Sequence, residues 1–296
     1  MAIHGMSAGM TAGPAATGLA DAAPVAVGGV GGSGTRLVAR MLDALGFRLG
    51  ADRNEADDTL WFTLLFKQRE VLALDDAAFE ARLRLLVGGL TAAGPPDAAQ
   101  RELLDQLCHE RLQAPAAWLR QRAATLIEAM ADGVAEAKHD RWGWKEPNTH
   151  VVLDRLTRAL PRLRYIHVMR SGLDMAWSGN RNQLELWGPA LLGRPVEDTP
   201  RDALAYWCAA HRRVLEIGAA MGRRFLLLDY DAFCQSPGQG VAQLLDFLGQ
   251  PPAPQRVAQL AALVAAPASL GRHRAHDLGK LDPADVAYAR QLESQG

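Results

Sequence analysis

The chain has 296 residues, 49% hydrophobic and 22% charged, the composition of an ordinary globular protein with room for one large domain or two small ones. A formal net charge of −1 excludes bulk electrostatic capture of nucleic acid, although a local basic pocket stays open. Cys108, Cys208 and Cys234 are too few and too scattered for a disulfide framework or a zinc site, which points to a reducing, cytoplasmic setting; no stretch nears the roughly 20 apolar residues of a membrane span.

Residues 1–23 are rich in Ala, Gly, Thr and Met, show no hydrophobic period and lack the basic start and apolar core of a secretory signal. They read as a disordered leader. From Pro24 the pattern changes. Val25-Ala26-Val27 reads as an apolar strand and Gly28-Gly29-Val30-Gly31-Gly32-Ser33-Gly34 as a tight turn. A helix follows, with Leu37, Met41 and Leu45 on one face and Gly46 as its stop. A strand that turns this tightly into a helix aims unpaired backbone N–H groups at one point. The helix dipole adds positive potential there, so the turn suits a phosphate. Glycine lets the backbone approach the anion, and Ser33 and Thr35 add hydroxyls. Against the nucleotide-binding pattern G-x-x-x-x-G-K-[ST], Gly29 to Gly34 fit. Thr35 then stands where the lysine belongs and Arg36 where the magnesium-holding Ser/Thr belongs. The expected ligand is a phosphate that needs no metal; the alternative is a turn that binds nothing.

Phe47 to Asp58 is a polar, acid-bearing connection. Helical patterns fill about residues 56–138: Leu60, Trp61, Leu64, Leu65 and Val71 mark one helix, and Phe79, Leu83, Leu86 and Leu90 a second. Leu103, Leu104, Leu107 and Leu112 follow, then a helix from Pro115 to Ala137. An insertion of this kind shapes a substrate pocket. The α/β pattern then resumes with a short strand over Trp142–Pro147, a helix over Val151–Leu160 and a strand over Leu163–Met169. A turn at Ser171-Gly172 opens a short helix through Ser178, and Leu184–Asp198 reads as a surface loop. Next come a helix over Ala203–Met221, a buried strand at Phe225–Leu228, a helix over Val241–Leu248, a basic segment Gly271–Arg274 and a helix near Val286–Leu292.

Apolar strands separated by helices predict an α/β fold: a P-loop-like, mainly parallel sheet covered by helices on both faces, with an all-helical insertion. Residues 24–296 form one domain in this reading. Ligands in such sheets bind at the carboxyl ends of strands, where Gly28–Arg36 and Arg170–Ser178 both lie.

Arg170 ends its strand and Ser178 stands eight residues on. An arginine grips a phosphate through two parallel hydrogen bonds and a serine hydroxyl adds a third. Taken alone, Arg170 reads first as an ion-pair former with Asp174. Taken together, the two motifs resemble those of the sulfotransferases that use 3′-phosphoadenosine 5′-phosphosulfate (PAPS). In that family an R/K-S-G-T-T turn binds the 5′-phosphosulfate, and Gly32-Ser33-Gly34-Thr35-Arg36 stands in its place. Tyr165 to Ser178 resembles the strand and helix that bind the 3′-phosphate. Phe225-Leu226-Leu227-Leu228-Asp229-Tyr230-Asp231-Ala232-Phe233 is similar to the later L-x-Y-E-D-L strand, and Leu244 to Gly249 to the helix after it. The resemblance covers roughly residues 24–50 and 140–275; the helical middle has no specific match.

The resemblance implies sulfuryl transfer from PAPS to the hydroxyl or amine of a small-molecule or glycan acceptor, with 3′-phosphoadenosine 5′-phosphate (PAP) as product and no metal. It places Gly31, Gly32, Ser33, Gly34, Thr35 and Arg36 on the phosphosulfate, Arg170 and Ser178 on the 3′-phosphate, and Arg272 and Arg274 over it. Gly32 replaces the family's basic residue and Arg36 its second threonine. Either Arg36 or Lys145 then supplies the missing charge. Lys145 lies in Trp-Lys-Glu-Pro, which resembles the family's K-x-P element; a salt bridge is its other reading. Glu55 and Asp58 are the candidate general bases, with helix capping as the alternative, and His150 is a further candidate. Trp142, Trp144, Trp177 and Trp207 read as packing residues, one of them free to line the adenine site. Two rivals stay open. A P-loop kinase or NTPase would use Asp229 for magnesium, and a non-catalytic nucleotide-binding protein would explain Gly32. The oligomeric state is not encoded legibly.

Overall fold

The computed structural model describes residues 18–111, 114–132 and 141–294. Most of the expected leader, residues 1–17, lies outside the described residues, as do Leu112 and residues 133–137 of the last insertion helix. Leu19 and Ala22 are buried, so the packed chain begins before Pro24.

In chain order the elements are β1 (Val25–Gly29), α1 (Thr35–Ala44), α2 (Leu60–Phe66), α3 (Asp76–Thr91), α4 (Ala98–Gln106), α5 (Ala116–Ala131) and β2 (Gly143–Lys145). There follow α6 (Leu153–Ala159), β3 (Arg164–Met169), α7 (Gly172–Ala176), α8 (Asn182–Leu192), α9 (Pro200–Met221) and β4 (Phe225–Asp229). The chain closes with α10 (Tyr230–Gln235), α11 (Pro237–Phe247), α12 (Pro254–Ala261) and α13 (Pro283–Glu293). The sheet is parallel throughout, in the order β2-β1-β3-β4.

Side-chain alternation along the strands builds two cores. Val25, Val27, Ile166, Val168, Leu226 and Leu228 face α1, α11 and α12, where they meet Met41, Leu42, Val241, Leu244 and Leu260. Ala26, Tyr165 and Met169 face the larger helical side formed by α2 to α9 and α13. Both faces of the sheet are thus covered, as parallel pairing requires. Among the described residues the stretch between α1 and β2 contains helices and no strand, which is the all-helical insertion. No helix there or elsewhere among the described residues is long and apolar enough to cross a membrane.

Four local expectations need correction. The run from Leu60 to Val71 is not one helix: α2 ends at Phe66, and a 3-10 turn over Arg69–Ala73 carries Val71. Arg82 and Arg111 donate to the carbonyls of Leu65 and Leu64 and so close the end of α2. The short helix before Ser178 stops at Ala176, leaving Ser178 just beyond it. Phe225–Asp229 is an edge strand with alternating burial, Leu226 and Leu228 in and their neighbours half-exposed. The expected surface loop at Leu184–Asp198 is mostly the helix α8, with Leu184, Leu186 and Trp187 buried. Pro189 inside α8 cannot donate to the Glu185 carbonyl four residues back. Arg69 supplies donors instead, from Nη2 to Glu185 O at 2.7 Å and from Nε to Leu186 O at 2.9 Å.

Candidate active site

The register between β1 and β3 pairs Gly29 with Val168, so the glycine turn after β1 and Arg170 after β3 emerge side by side. Gly32 and Gly34 have φ of +96° and +97°, left-handed conformations that side chains adopt only with strain. A Cβ on Gly34 would also stand 2.3 Å from the ring of Tyr230. Ser33 is buried, and its Oγ has no hydrogen-bond partner among the described residues. Gln183 of α8 props the turn from behind, Nε2 donating to Gly29 O at 3.2 Å.

The second motif converges on the same turn. Arg170 is buried; its Nη1 points at Gly32 O, 3.5 Å away, and its Nη2 donates to Ser269 Oγ at 2.8 Å. The Ser178 hydroxyl lies 3.8 Å from where a Cβ on Gly32 would stand. The acid beside Arg170 is Asp231, not Asp174: Nε and Oδ1 are 3.8 Å apart, and each lacks a hydrogen bond. Burial pushes the Asp231 carboxyl above its ordinary range, opposed by the Ser171 N–H. Asp174 instead binds the C-terminal strap of residues 269–276, through Gly271 N–H (2.6 Å), His273 N–H (2.9 Å) and His273 Nδ1 (2.6 Å). Burial works against the ionised form of Asp174, but the His273 and Gly271 bonds outweigh it and hold its pKa low. Arg272 of the same strap donates to Trp177 O at 3.1 Å, and His276 stacks flat on Trp177. Arg274 is exposed. Trp144 and Trp207 are packing residues, fully buried.

On the other side of β1, Val27 pairs with Lys145 at the end of β2. The Lys145 ammonium is buried, donating to Ala56 O at 2.7 Å and to Asp58 Oδ1. Two of the candidate catalytic residues therefore form one ion pair, which is the salt-bridge reading of Lys145; the N-cap position of α2 is Thr59, not Asp58. The connection before α2 is built to hold that pair. Asn54 Oδ1 accepts from the N–H groups of Ala56 and Asp58, both at 2.9 Å, and Asn54 Nδ2 donates to Asp58 Oδ2 at 3.0 Å. Thr59 N–H donates to Lys145 O at 2.7 Å, while Asp52 accepts from Arg122 and Thr125 of α5. Glu55 and Arg36 are exposed, and their side chains make no hydrogen bond or ion pair among the described residues. Glu146, which the sequence reading passed over, is buried beside Lys145. Desolvation raises its pKa, and it caps Pro147–Val152 by accepting from Asn148 N–H.

His150 is placed beyond reach of an acceptor. It is 1% exposed, faces Gln183 Oε1 at 3.2 Å, and burial pushes its pKa down to about 3. It belongs to a buried polar cluster with His167, His211, Tyr165 and Tyr206 beneath the sheet. Among the described residues no group of three or more His, Cys, Asp or Glu side chains is arranged to hold a metal ion.

The architecture is that of a P-loop-like α/β protein, with a glycine turn after its first strand and an arginine ending the adjoining one. The chain belongs to the sulfotransferase family, whose model matches residues 24–254. Solved structures with a similar fold include the sulfotransferase domain of the Synechococcus PCC 7002 olefin synthase, at 18% identity and TM-score 0.49 over 91% of this chain and 94% of that one. The sulfotransferase domain from the curacin biosynthetic pathway is 16% identical, with TM-score 0.46 over 92% of this chain and 97% of that one. Sulfotransferase STF9 from Mycobacterium avium is 17% identical, with TM-score 0.40 over 81% and 67%. No curated protein matches the chain.

Proposed function

We propose that the protein transfers the sulfuryl group from PAPS to a hydroxyl or amine of a small-molecule or glycan acceptor, in line and without a metal ion. The observation that carries this reading is the convergence of the glycine turn, Arg170 and Ser178 around Gly32, with Ser33 Oγ buried and unpartnered and Arg170 Nε buried without a hydrogen bond beside Asp231. Buried donors without partners are costly unless a ligand completes them, and a phosphate-bearing nucleotide matches this donor set. In this reading the N–H groups from Gly31 to Thr35 and the Ser33 hydroxyl hold the phosphosulfate. Arg170, Ser178 and Arg272 hold the 3′-phosphate.

The reaction breaks the S–O bond to the phosphate and forms a bond from sulfur to the acceptor oxygen or nitrogen; PAP leaves with the electron pair. Positioning and charge stabilisation do most of the work, as in phosphoryl transfer. Lys145 or Arg36 balances the charge that develops on the leaving phosphate, and Asp58 or Glu55 takes the acceptor's proton. The domain of residues 24–296 would supply all of these groups from one chain, with the helical insertion forming the acceptor side.

The expected result is metal-independent turnover: PAP released from PAPS, in buffer containing a chelator, with at least one member of a panel of hydroxyl and amine acceptors. Hydrolysis or transfer from ATP that requires magnesium, with no turnover of PAPS, would instead favour a kinase-like activity on the same fold.

A further inference from the structure

Asp174 is the one acid of α7, and its carboxylate is 2% exposed. All three donors it accepts belong to the strap: the N–H groups of Gly271 and His273 and the His273 ring. Gly271 has φ +71°, so the strap backbone turns there through a left-handed residue and aims two nearby N–H groups at one anion. That is a backbone nest, a concavity that ordinarily takes a phosphate or carboxylate. Here the protein's own side chain fills it. An external phosphate could enter only if α7 and the strap came apart, because the carboxylate beneath is enclosed by both.

We propose that Asp174 is a positioning residue that assembles the strap against α7 before any nucleotide arrives. With the nest filled, Ser269 reaches Arg170 Nη2, Arg272 reaches Trp177 O, and His276 lies on Trp177 with ring centroids 4.7 Å apart and planes 3° from parallel. The basic strap is thereby held over the guanidinium assigned above to the 3′-phosphate, so ordering it costs nothing further on binding. The latch stands on this geometry alone; its benefit to nucleotide affinity rests on the donor reading of Arg170.

The experiment is amide hydrogen exchange over residues 269–276 in the nucleotide-free full chain, paired with PAP titration and donor kinetics. In Asp174→Asn, exchange at Gly271 and His273 is expected to rise at least tenfold. PAP binding should weaken about tenfold, with donor KM rising in step and kcat falling less than twofold. His273→Ala keeps the carboxylate and two of its three donors, so it should give a smaller increase in exchange even if Asp174→Asn folds poorly. Unchanged exchange in both variants would overturn the latch. Faster exchange with unaltered PAP affinity would overturn its role in binding. A wild type that ignores PAP altogether would remove the donor reading, and the exchange data would still decide the latch.

Discussion

Lys145→Met is expected to lower stability by about 2–3 kcal/mol and kcat by about 10²–10³-fold, and adding Asp58→Asn should recover the stability but not the rate. The first effect follows from the ion pair. Removing one partner strands the other, whereas replacing both by neutral groups of similar size removes the desolvation cost along with the attraction. Burial sets the order of the single variants: the Lys145 side chain is 2% exposed and that of Asp58 18%. Asp58→Asn, which leaves the buried ammonium with neutral acceptors only, the Ala56 carbonyl and the new amide oxygen, should therefore cost more, about 3–5 kcal/mol. The second effect follows if the pair takes part in chemistry, through the lysine charge or the carboxylate. Urea unfolding and single-turnover kinetics on the four proteins of the cycle separate the two. Recovery of rate together with stability would reduce the pair to a structural bridge between β2 and the connection before α2.

Stability should fall steeply on mild acidification, by about 6 kcal/mol between pH 7.5 and pH 5 from three histidines. His150, His167 and His211 are buried, and desolvation depresses all three, His150 to about 3 and His211 to about 4. The sign is set by proton uptake. Unfolded histidine titrates near 6.5 and the folded residues below that, so the unfolded chain gains protons that the folded chain refuses. Their contribution is complete above about pH 6.5, declines as pH falls, and levels only once the folded imidazoles themselves protonate. Each group contributes about 1.4 kcal/mol per pH unit inside the window, so the three together are a large part of a typical 5–15 kcal/mol total. Glu146 opposes this, because burial raises its pKa and the folded protein gains relative stability as that carboxyl takes up its proton. Urea midpoints measured from pH 7.5 to 5 test the slope, and His167→Gln should remove about one third of it. A flat profile would contradict the buried, neutral assignment.

What the sequence made legible was local. β1, the glycine turn and α1 were readable because strand, turn and helix signals follow one another within about twenty residues and no distant partner decides them. β3 was equally plain. α8 was not, because Gly188, Pro189 and Gly193 look like breakers. The residue that rescues Pro189 is Arg69, more than a hundred positions earlier. The site divides in the same way. Ser33 and Arg170 carry motif signals, whereas Asp58 could be named only by its region, and its meeting with Lys145 depends on how Asn54 folds the connection. The acid beside Arg170 is Asp231, where Asp174 was expected. Nearness along the chain suggested Asp174 for Arg170, but α7 turns that carboxylate toward the strap while the first turn of α10, directly after β4, brings Asp231 alongside the guanidinium. His150 looked like a base because it follows Lys145-Glu146-Pro147. Only the packing of α8 and α9 over it shows it to be enclosed.

The most direct test of the account is calorimetric titration of the full chain with PAP, in metal-free buffer, for the wild type and for Arg170→Ala. The account predicts saturable binding to the wild type and a loss of about 2–5 kcal/mol in the variant, the cost of truncating a buried, charge-assisted partner. A folded wild type that binds no PAP at millimolar concentration, or a variant that binds it as tightly as the wild type, would contradict it.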